Sequence, residues 1–341
     1  MKIAVADRPG PLAEVVRIRE VPEPGEPAPG QVRVRMTATT VNPSDAVTVS
    51  GAYMSRTTFP MIPGFEGVGV IDSGPEEGRR VLPIGGPGCW SQLRNVDRAW
   101  CVPVPDDLDD ATACFSYINP LTASMMVRDY CLPLCTPGRT PTVVVTAATS
   151  AIAEHIAELL TELTGVRPTG LVRGTPGHHV ADPDRWASVV SMRELDWRTR
   201  VHGADVILDC VGGELGLDLV DALAPGGTLV LYGLLSGEPL PTACFDGRRG
   251  TRVEMFRLRD TIHTPTGDAR SDLPGLFLPV FTLQRRGLLR TPVAARVGLS
   301  GLPDALRDLV SPAGATHGGQ APHRSVVVSG VPHSATATAA P

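Results

Sequence analysis

Thr142 to Arg173 reads TVVVTAATSAIAEHIAELLTELTGVRPTGLVR, and this stretch decides the fold. Val143, Val144 and Val145 form a β-branched run suited to a strand buried on both faces. A turn of small residues follows: Thr146, Ala147, Ala148, Thr149 and Ser150. Beyond it Ile152, Ile156, Leu159, Leu160 and Leu163 fall on one face of a helix. A second short run ends on Arg173. Strand, tight turn, helix and strand make a βαβ unit whose turn lies where a pyrophosphate rests on a helix N-terminus.

Working outward, the alternation continues. Ser188–Met192 and Val206–Cys210 read as strands. Leu215–Leu223 reads as a helix ended by Pro225-Gly226-Gly227, and Thr228–Tyr232 as a further buried strand. Alternating strands and helices over roughly 100 residues predict an α/β domain with a doubly wound parallel sheet. Arg252–Leu258 is expected at its edge. Upstream, residues 1–110 alternate short β-like runs with Pro/Gly punctuation. The runs are Ile3–Ala6, Val15–Glu20, Gln31–Thr40, Gly67–Ile71, Arg80–Ile84 and Ala99–Val104. That rhythm predicts a small antiparallel barrel or sandwich. LDDATACFSYINPLTASMMVRDY then reads as helix, a break at proline, and helix. Leu276–Arg286 and Leu302–Leu309 are predicted helices, Ser325–Val328 a last strand, and 331–341 a disordered tail.

Composition excludes several classes. The chain has 341 residues, 42% of them hydrophobic and 20% charged, enough for two ordinary domains or one large one with a real core. A net charge of −5 gives no global attraction to nucleic acid or to anionic membrane. No run approaches the ~18 apolar residues of a membrane span, and the first residues lack a signal-peptide apolar region, so a cytoplasmic location is expected. The seven cysteines contain no CxxC pair and read as buried free thiols. The histidines lack acidic or thiol companions at ligand spacing, so no metal site is expected.

Several constellations point to chemistry. Thr149 and Ser150 place two hydroxyls and the first amides of a helix around a possible anion, which fits a nucleotide site or an ordinary βα turn. Ala151 and Ala153 stand where the dinucleotide fingerprint carries glycine. Arg173 ends the second strand, where dinucleotide-binding proteins place an acidic residue for the ribose hydroxyls. A guanidinium there suits a 2′-phosphate, and it is equally compatible with a surface arginine. Asp209-Cys210-Val211-Gly212-Gly213 and Tyr232-Gly233 put small residues after two consecutive strand ends, the side on which open α/β sheets bind ligands. Tyr53, in a Gly51-Ala52-Tyr53 turn, can donate a proton or hydrogen-bond a developing enolate.

The segments VNPSD (41–45), SGAY (50–53), FPMIPGFEGVGVI (59–71), CWSQL (89–93), INPLTA (118–123), LVR (171–173), DCVGG (209–213) and LYG (231–233) occur in this order. With them the chain resembles the zinc-independent medium-chain dehydrogenase/reductases, and among these the 2-enoyl thioester reductases, with quinone oxidoreductases as close cousins. The resemblance implies a GroES-like β-barrel catalytic domain (1–115 and 260–330) and a Rossmann nucleotide-binding domain (116–259). It also implies an NADPH-dependent reductase acting on CH–CH donors, with hydride delivered to the β-carbon of an enoyl thioester or enone.

On that resemblance Tyr53, Asn42 and Trp90 take the catalytic positions. Thr149, Ser150, Ala151, Arg173, Val211, Gly212, Tyr232, Gly233, Phe256 and Arg324 take the cofactor positions. The substrate is expected to be a small molecule or an acyl thioester, free or on a carrier protein, and the assembly a homodimer. Phe65 before Glu66 and the absence of a four-cysteine lobe depart from the zinc-using relatives. Ala151, Ala153, Arg257 and the segment 261–275 depart from the enoyl reductases. Two alternatives remain open, a quinone or enone oxidoreductase and a non-redox member with a weakened cofactor site.

Overall fold

A computed structural model describes residues 1–52, 57–74, 76–174, 180–262, 273–310 and 325–329. The described residues divide into two compact units, one of 1–117, 291–310 and 325–329, the other within 118–290.

The second unit holds the parallel sheet. Its strands are β8 (Val143–Thr146), β9 (Thr169–Val172), β10 (Ser188–Ser191), β11 (Ala204–Asp209), β12 (Leu223–Leu231) and β13 (Arg252–Met255). They are ordered β10-β9-β8-β11-β12-β13, and every neighbouring pair is parallel. The chain therefore winds outward from β8 through β9 to β10, then returns to lay β11 on the other side of β8. The order reverses between β8 and β11, and this is the topological switch point at which such sheets bind ligands.

The sheet is held by burial of branched side chains: Val144, Leu171, Val190, Ile207, Leu229 and Leu231 share one core with Leu219 and Val220 of the helix Leu215–Ala222. The helix Ala151–Thr164 buries Ile156, Leu159 and Leu160 as its spacing predicts, while Leu163 remains exposed. It stops at Gly165, whose left-handed φ of 73° is the usual device for ending a helix.

The first unit is built on a mixed sheet, antiparallel throughout except where β14 (Val293–Gly298) and β15 (Ser325–Ser329) pair in parallel at one edge. Its strands are β3 (Gln31–Thr40), β4 (Gly67–Ile71), β5 (Arg80–Pro83), β6 (Leu93–Asp97) and β7 (Cys101–Pro103). After the excursion into the second unit the chain adds β14 (Val293–Gly298) and β15 (Ser325–Ser329). The order is β14-β15-β3-β4-β5-β7, with β6 paired to β3 as well. A separate hairpin joins β1 (Lys2–Ala6) to β2 (Val16–Glu20). Trp90, Val49, Ala4 and Val328 lie together in this unit's core with Leu302 and Leu306 of the helix Leu302–Val310.

Three expectations change. The domain return expected at 260 falls at Thr291, because the helix Leu273–Arg285 and the residues after it belong to the second unit. The Leu289 amide there donates to Glu158 Oε2 at 2.6 Å, fastening the segment to the helix Ala151–Thr164. The break expected at Pro120 falls earlier, at residues 114–116, where the helix Asp110–Ala113 ends in a turn. Tyr117–Leu121 forms a wide π turn that accommodates the proline, and helix continues through Thr122–Met126. Finally, β12 begins at Leu223 rather than Thr228, because Leu223 pairs with Ala204 ahead of a bulge. Among the described residues no helix is long and apolar enough to cross a membrane.

Candidate active site

At the switch point, β8 runs into the predicted turn. Ala147 adopts a left-handed φ of 49°, and the Ser150 amide closes the turn onto the Ala147 carbonyl at 2.8 Å. Ser150 caps the following helix, its Oγ accepting from the Ala153 amide at 3.4 Å. The first helical amides, including those of Ala151 and Ile152, have no intrahelical acceptor and add to the positive end of the helix dipole.

The methyl of Ala153 is wholly buried, whereas Ala151 is half-buried at the mouth of the turn. Gly170 in β9 lets the turn pack down onto the sheet, since a Cβ there would stand 2.6 Å from Ala148 Cβ and 2.8 Å from Trp186 Cε3. Thr146 pairs in register with Leu171, so the turn after β8 and Arg173 after β9 leave the sheet side by side. Arg173 is exposed and makes no ion pair among the described residues.

The loop after β11 is fastened from beneath. Asp209, 0% exposed, accepts from Thr146 Oγ1 (2.7 Å), the Val211 amide (2.9 Å) and the Gly212 amide (3.0 Å). Burial pushes this carboxyl above the ordinary range, and the three donors pull it back down. The Cys210 amide donates to Thr146 Oγ1 at 3.0 Å, so one hydroxyl serves both strand ends.

Gly212 and Gly213 take φ values of 71° and 65°, open to glycine at no steric cost. A Cβ on Gly212 would meet the Glu238 carbonyl at 3.0 Å, so the residues after β12 fold back over this loop. Tyr232 follows β12 directly, and its buried hydroxyl lacks a well-formed hydrogen bond beside the Cys210 thiol. Burial pushes both groups up, the thiol to about 11. Phe256, after β13, is buried, and its amide donates to Leu231.

In the first unit Asn42 and Trp90 meet through Thr40. Trp90 is 0% exposed and its Nε1 donates to the Thr40 carbonyl at 2.9 Å. Asn42 Nδ2 donates to Glu66 Oε1 (2.6 Å) and to Thr40 Oγ1 (2.9 Å), which occupies both of its hydrogens. The two side chains thus stand within a buried polar knot, their N–H groups committed to the protein.

Asp45, from the same NPSD segment and equally buried, accepts from the amides of Asn42 (2.8 Å), Gly64 (3.2 Å) and Phe65 (3.2 Å). Burial, reinforced by the neighbouring Glu66 charge, raises its pKa to about 7 against the pull of those amides. Gly64 sits at φ 89° with room only for hydrogen, since a Cβ would lie 2.4 Å from Trp90 Cδ1. Tyr53 and Arg324 lie outside the described residues, as do His178, His179 and most of 261–275. Asp45, Thr146 and Asp209 stand within the motifs of the sequence, which carry no sign of these roles beyond a polar residue at a predicted strand end or turn. Among the described residues no group of three or more His, Cys, Asp or Glu is arranged to hold a metal ion.

With this geometry in view, comparison places the chain. Residues 28–106 match the alcohol dehydrogenase GroES-like domain and residues 186–318 the zinc-binding dehydrogenase domain. The chain belongs to the medium-chain dehydrogenase/reductase superfamily. Within it, the chain is an enoyl-reductase-like oxidoreductase.

It is 26% identical over 330 residues to the mitochondrial enoyl-[acyl-carrier-protein] reductase of Xenopus tropicalis, covering 90% of this chain and 91% of the relative. The human enzyme of that name is 27% identical over 322 residues, covering 89% and 84%. A Bacillus thuringiensis structure described as an NADPH:quinone reductase superposes with a TM-score of 0.82 at 29% identity, covering 97% of this chain and 99% of that one. The GroES-like domain and the Rossmann-type parallel sheet expected from the sequence are both present.

Proposed function

We propose that this protein is an NADPH-dependent reductase of an activated carbon–carbon double bond, with a 2-enoyl thioester or related enone as substrate. The observation that carries the reading is the pairing, at the switch point, of a capped helix N-terminus with Arg173. Two positive features leave adjacent strand ends: the acid in the helix's first turn, Glu154, is buried and accepts from the Ala181 amide, and Arg173 makes no ion pair among the described residues. A dinucleotide needs this arrangement, with the pyrophosphate on the helix and a 2′-phosphate on the guanidinium.

Thr149, Ser150 and Ala151 would hold the pyrophosphate, with Val211, Gly212, Tyr232, Gly233, Phe256 and Arg324 completing the surroundings of the cofactor. When bound, the dinucleotide supplies a hydride for the substrate β-carbon. Tyr53 hydrogen-bonds the thioester carbonyl and delivers the proton to the α-carbon as the enolate charge collapses. Asn42 and Trp90 shape the ground on which this happens. Through Thr40 and Glu66 they tie the end of β3 to the Pro63–Gly67 turn. No metal takes part in this reading. The protein works as a homodimer in the cytoplasm, the edge of β13, unpaired among the described residues and with Met255 53% exposed, offering the pairing surface.

The test is NADPH consumption with a short trans-2-enoyl-CoA, its carrier-protein counterpart and a benzoquinone, for the wild type and for Tyr53→Phe. The proposal expects thioester turnover that falls by about 100-fold in the variant. A second reading, a quinone or enone reductase without an acid, draws on the likeness to the Bacillus thuringiensis structure. Turnover of the quinone alone, unchanged in Tyr53→Phe, would establish it and overturn the first.

A further inference from the structure

Thr146 ends β8 and Asp209 ends β11, and these strands are the neighbours between which the sheet order reverses. We propose that Thr146 and Asp209 are positioning residues for the dinucleotide, a brace that holds the turn after β8 and the loop after β11 at fixed separation. The inference rests on the NADPH reading given above.

Four observations carry it. The first is location: the Thr146–Asp209 hydrogen bond, at 2.7 Å, spans the two strand ends that border the crevice. The second is saturation. Thr146 Oγ1 donates to Asp209 and accepts from the Cys210 amide, while Asp209 takes two further amides, so the linkage closes on itself through both strands. The third is burial. Thr146 is 1% exposed and Asp209 0%, so neither side chain is placed to touch a ligand, and any effect on binding passes through the loops they hold.

The fourth observation concerns what the brace consumes. The Val211 and Gly212 amides point inward onto Asp209 and are not available as phosphate donors. Donors to a pyrophosphate must then come from the turn after β8 and the start of the helix Ala151–Thr164, while Val211 and Gly212 contribute contact surface only. A buried carboxyl with three donors and no cation beside it among the described residues is costly to leave half-satisfied, which makes the hydroxyl of Thr146 the sensitive component.

Three variants test this. Thr146→Val keeps shape and removes the hydroxyl, Thr146→Ser keeps the hydroxyl, and Asp209→Asn keeps one carbonyl acceptor should the valine variant fail to fold. Two quantities are read: the Kd for NADPH by quenching of tryptophan fluorescence, and hydrogen exchange at the Val211 and Gly212 amides in ligand-free protein. The expected result is about tenfold weaker binding together with faster exchange at both amides in Thr146→Val, both restored in Thr146→Ser. Asp209→Asn is expected to weaken binding in the same direction. Wild-type affinity in Thr146→Val and in Asp209→Asn overturns the inference while leaving the NADPH reading intact. Failure of the wild type itself to bind NADPH overturns both.

Discussion

Each unit contains a wholly buried aspartate that gathers the amides of loops brought together by the fold. Asp45 takes those of Asn42, Gly64 and Phe65; Asp209 takes those of Val211 and Gly212 with the Thr146 hydroxyl. Both carboxyls are raised by burial and lowered by their donors, yet only Asp45 has a second carboxylate, Glu66, among the charges acting on it. The difference teaches how one device serves two ends. Three donors without a competing charge make a fixed brace at the cofactor side. Deep burial, helped by another acid beside the three donors, makes a joint whose pKa is raised to about 7, in the unit that carries the proposed acid chemistry.

The largest expected effect comes from removing the acceptor in the first unit. Asp45→Ala strands three buried amides and should destabilise the protein by about 4 kcal/mol in urea unfolding. A loss under about 1 kcal/mol would show that the joint holds little.

The next test separates the two aspartates by pH. The Asp45 carboxyl titrates near 3.8 in the unfolded chain and near 7 in the folded protein. The proton therefore favours the folded state, so the contribution is full below about pH 4 and is lost as pH rises to about 7. Stability of the wild type relative to Asp45→Asn should fall across that window. A difference that is flat or rises with pH would contradict a carboxyl kept protonated chiefly by its burial.

Smaller effects probe the alanines of the phosphate turn. Ala153→Gly empties a buried methyl site and loosens a helix, costing about 1 kcal/mol with no gain in NADPH affinity. Ala151→Gly, at the half-buried mouth, should leave stability nearly unchanged and tighten NADPH by a factor of about two to five if the methyl crowds the pyrophosphate. Equal effects at the two positions would break the distinction between a packed and a facing methyl.

The smallest effect is chemical. Six of the seven thiols are buried and only Cys135 is partly exposed. Ellman's reagent should thus find about one reactive thiol in the native protein and the rest after denaturation.

The parallel sheet was legible because its strands are buried on both faces and read as unbroken Val/Ile/Leu runs, as in Val143–Val145 and Ile207–Leu208. Strands β6 and β14 were not. LRNVD buries only Val96, and the side chains of VAARVG are mostly exposed, so neither carries an alternating apolar signal; they are strands because a neighbour offers its edge. The candidate site was legible as motifs in order, through Thr149, Ser150, Arg173 and the DCVGG loop.

Roles within those motifs were not legible. Nothing in the letters of NPSD or DCVGG says that the aspartate ties its own turn to a distant segment, since that follows from the Gly64 amide 19 positions from Asp45 and the Thr146 hydroxyl 63 positions from Asp209. The same reason hid the burial of Trp90, whose indole is enclosed by Gly64 and Thr40 only once the sheet has formed.

The central claim is that the β8 turn and Arg173 form an NADPH site despite alanine at 151 and 153. It is tested most directly by titrating the protein with NADPH and with NADH, in the wild type and in Arg173→Ala. The account predicts micromolar NADPH binding, at least about tenfold weaker binding of NADH, and loss of that preference in Arg173→Ala with NADH affinity unchanged. No NADPH binding, or a preference that survives the loss of Arg173, would contradict it.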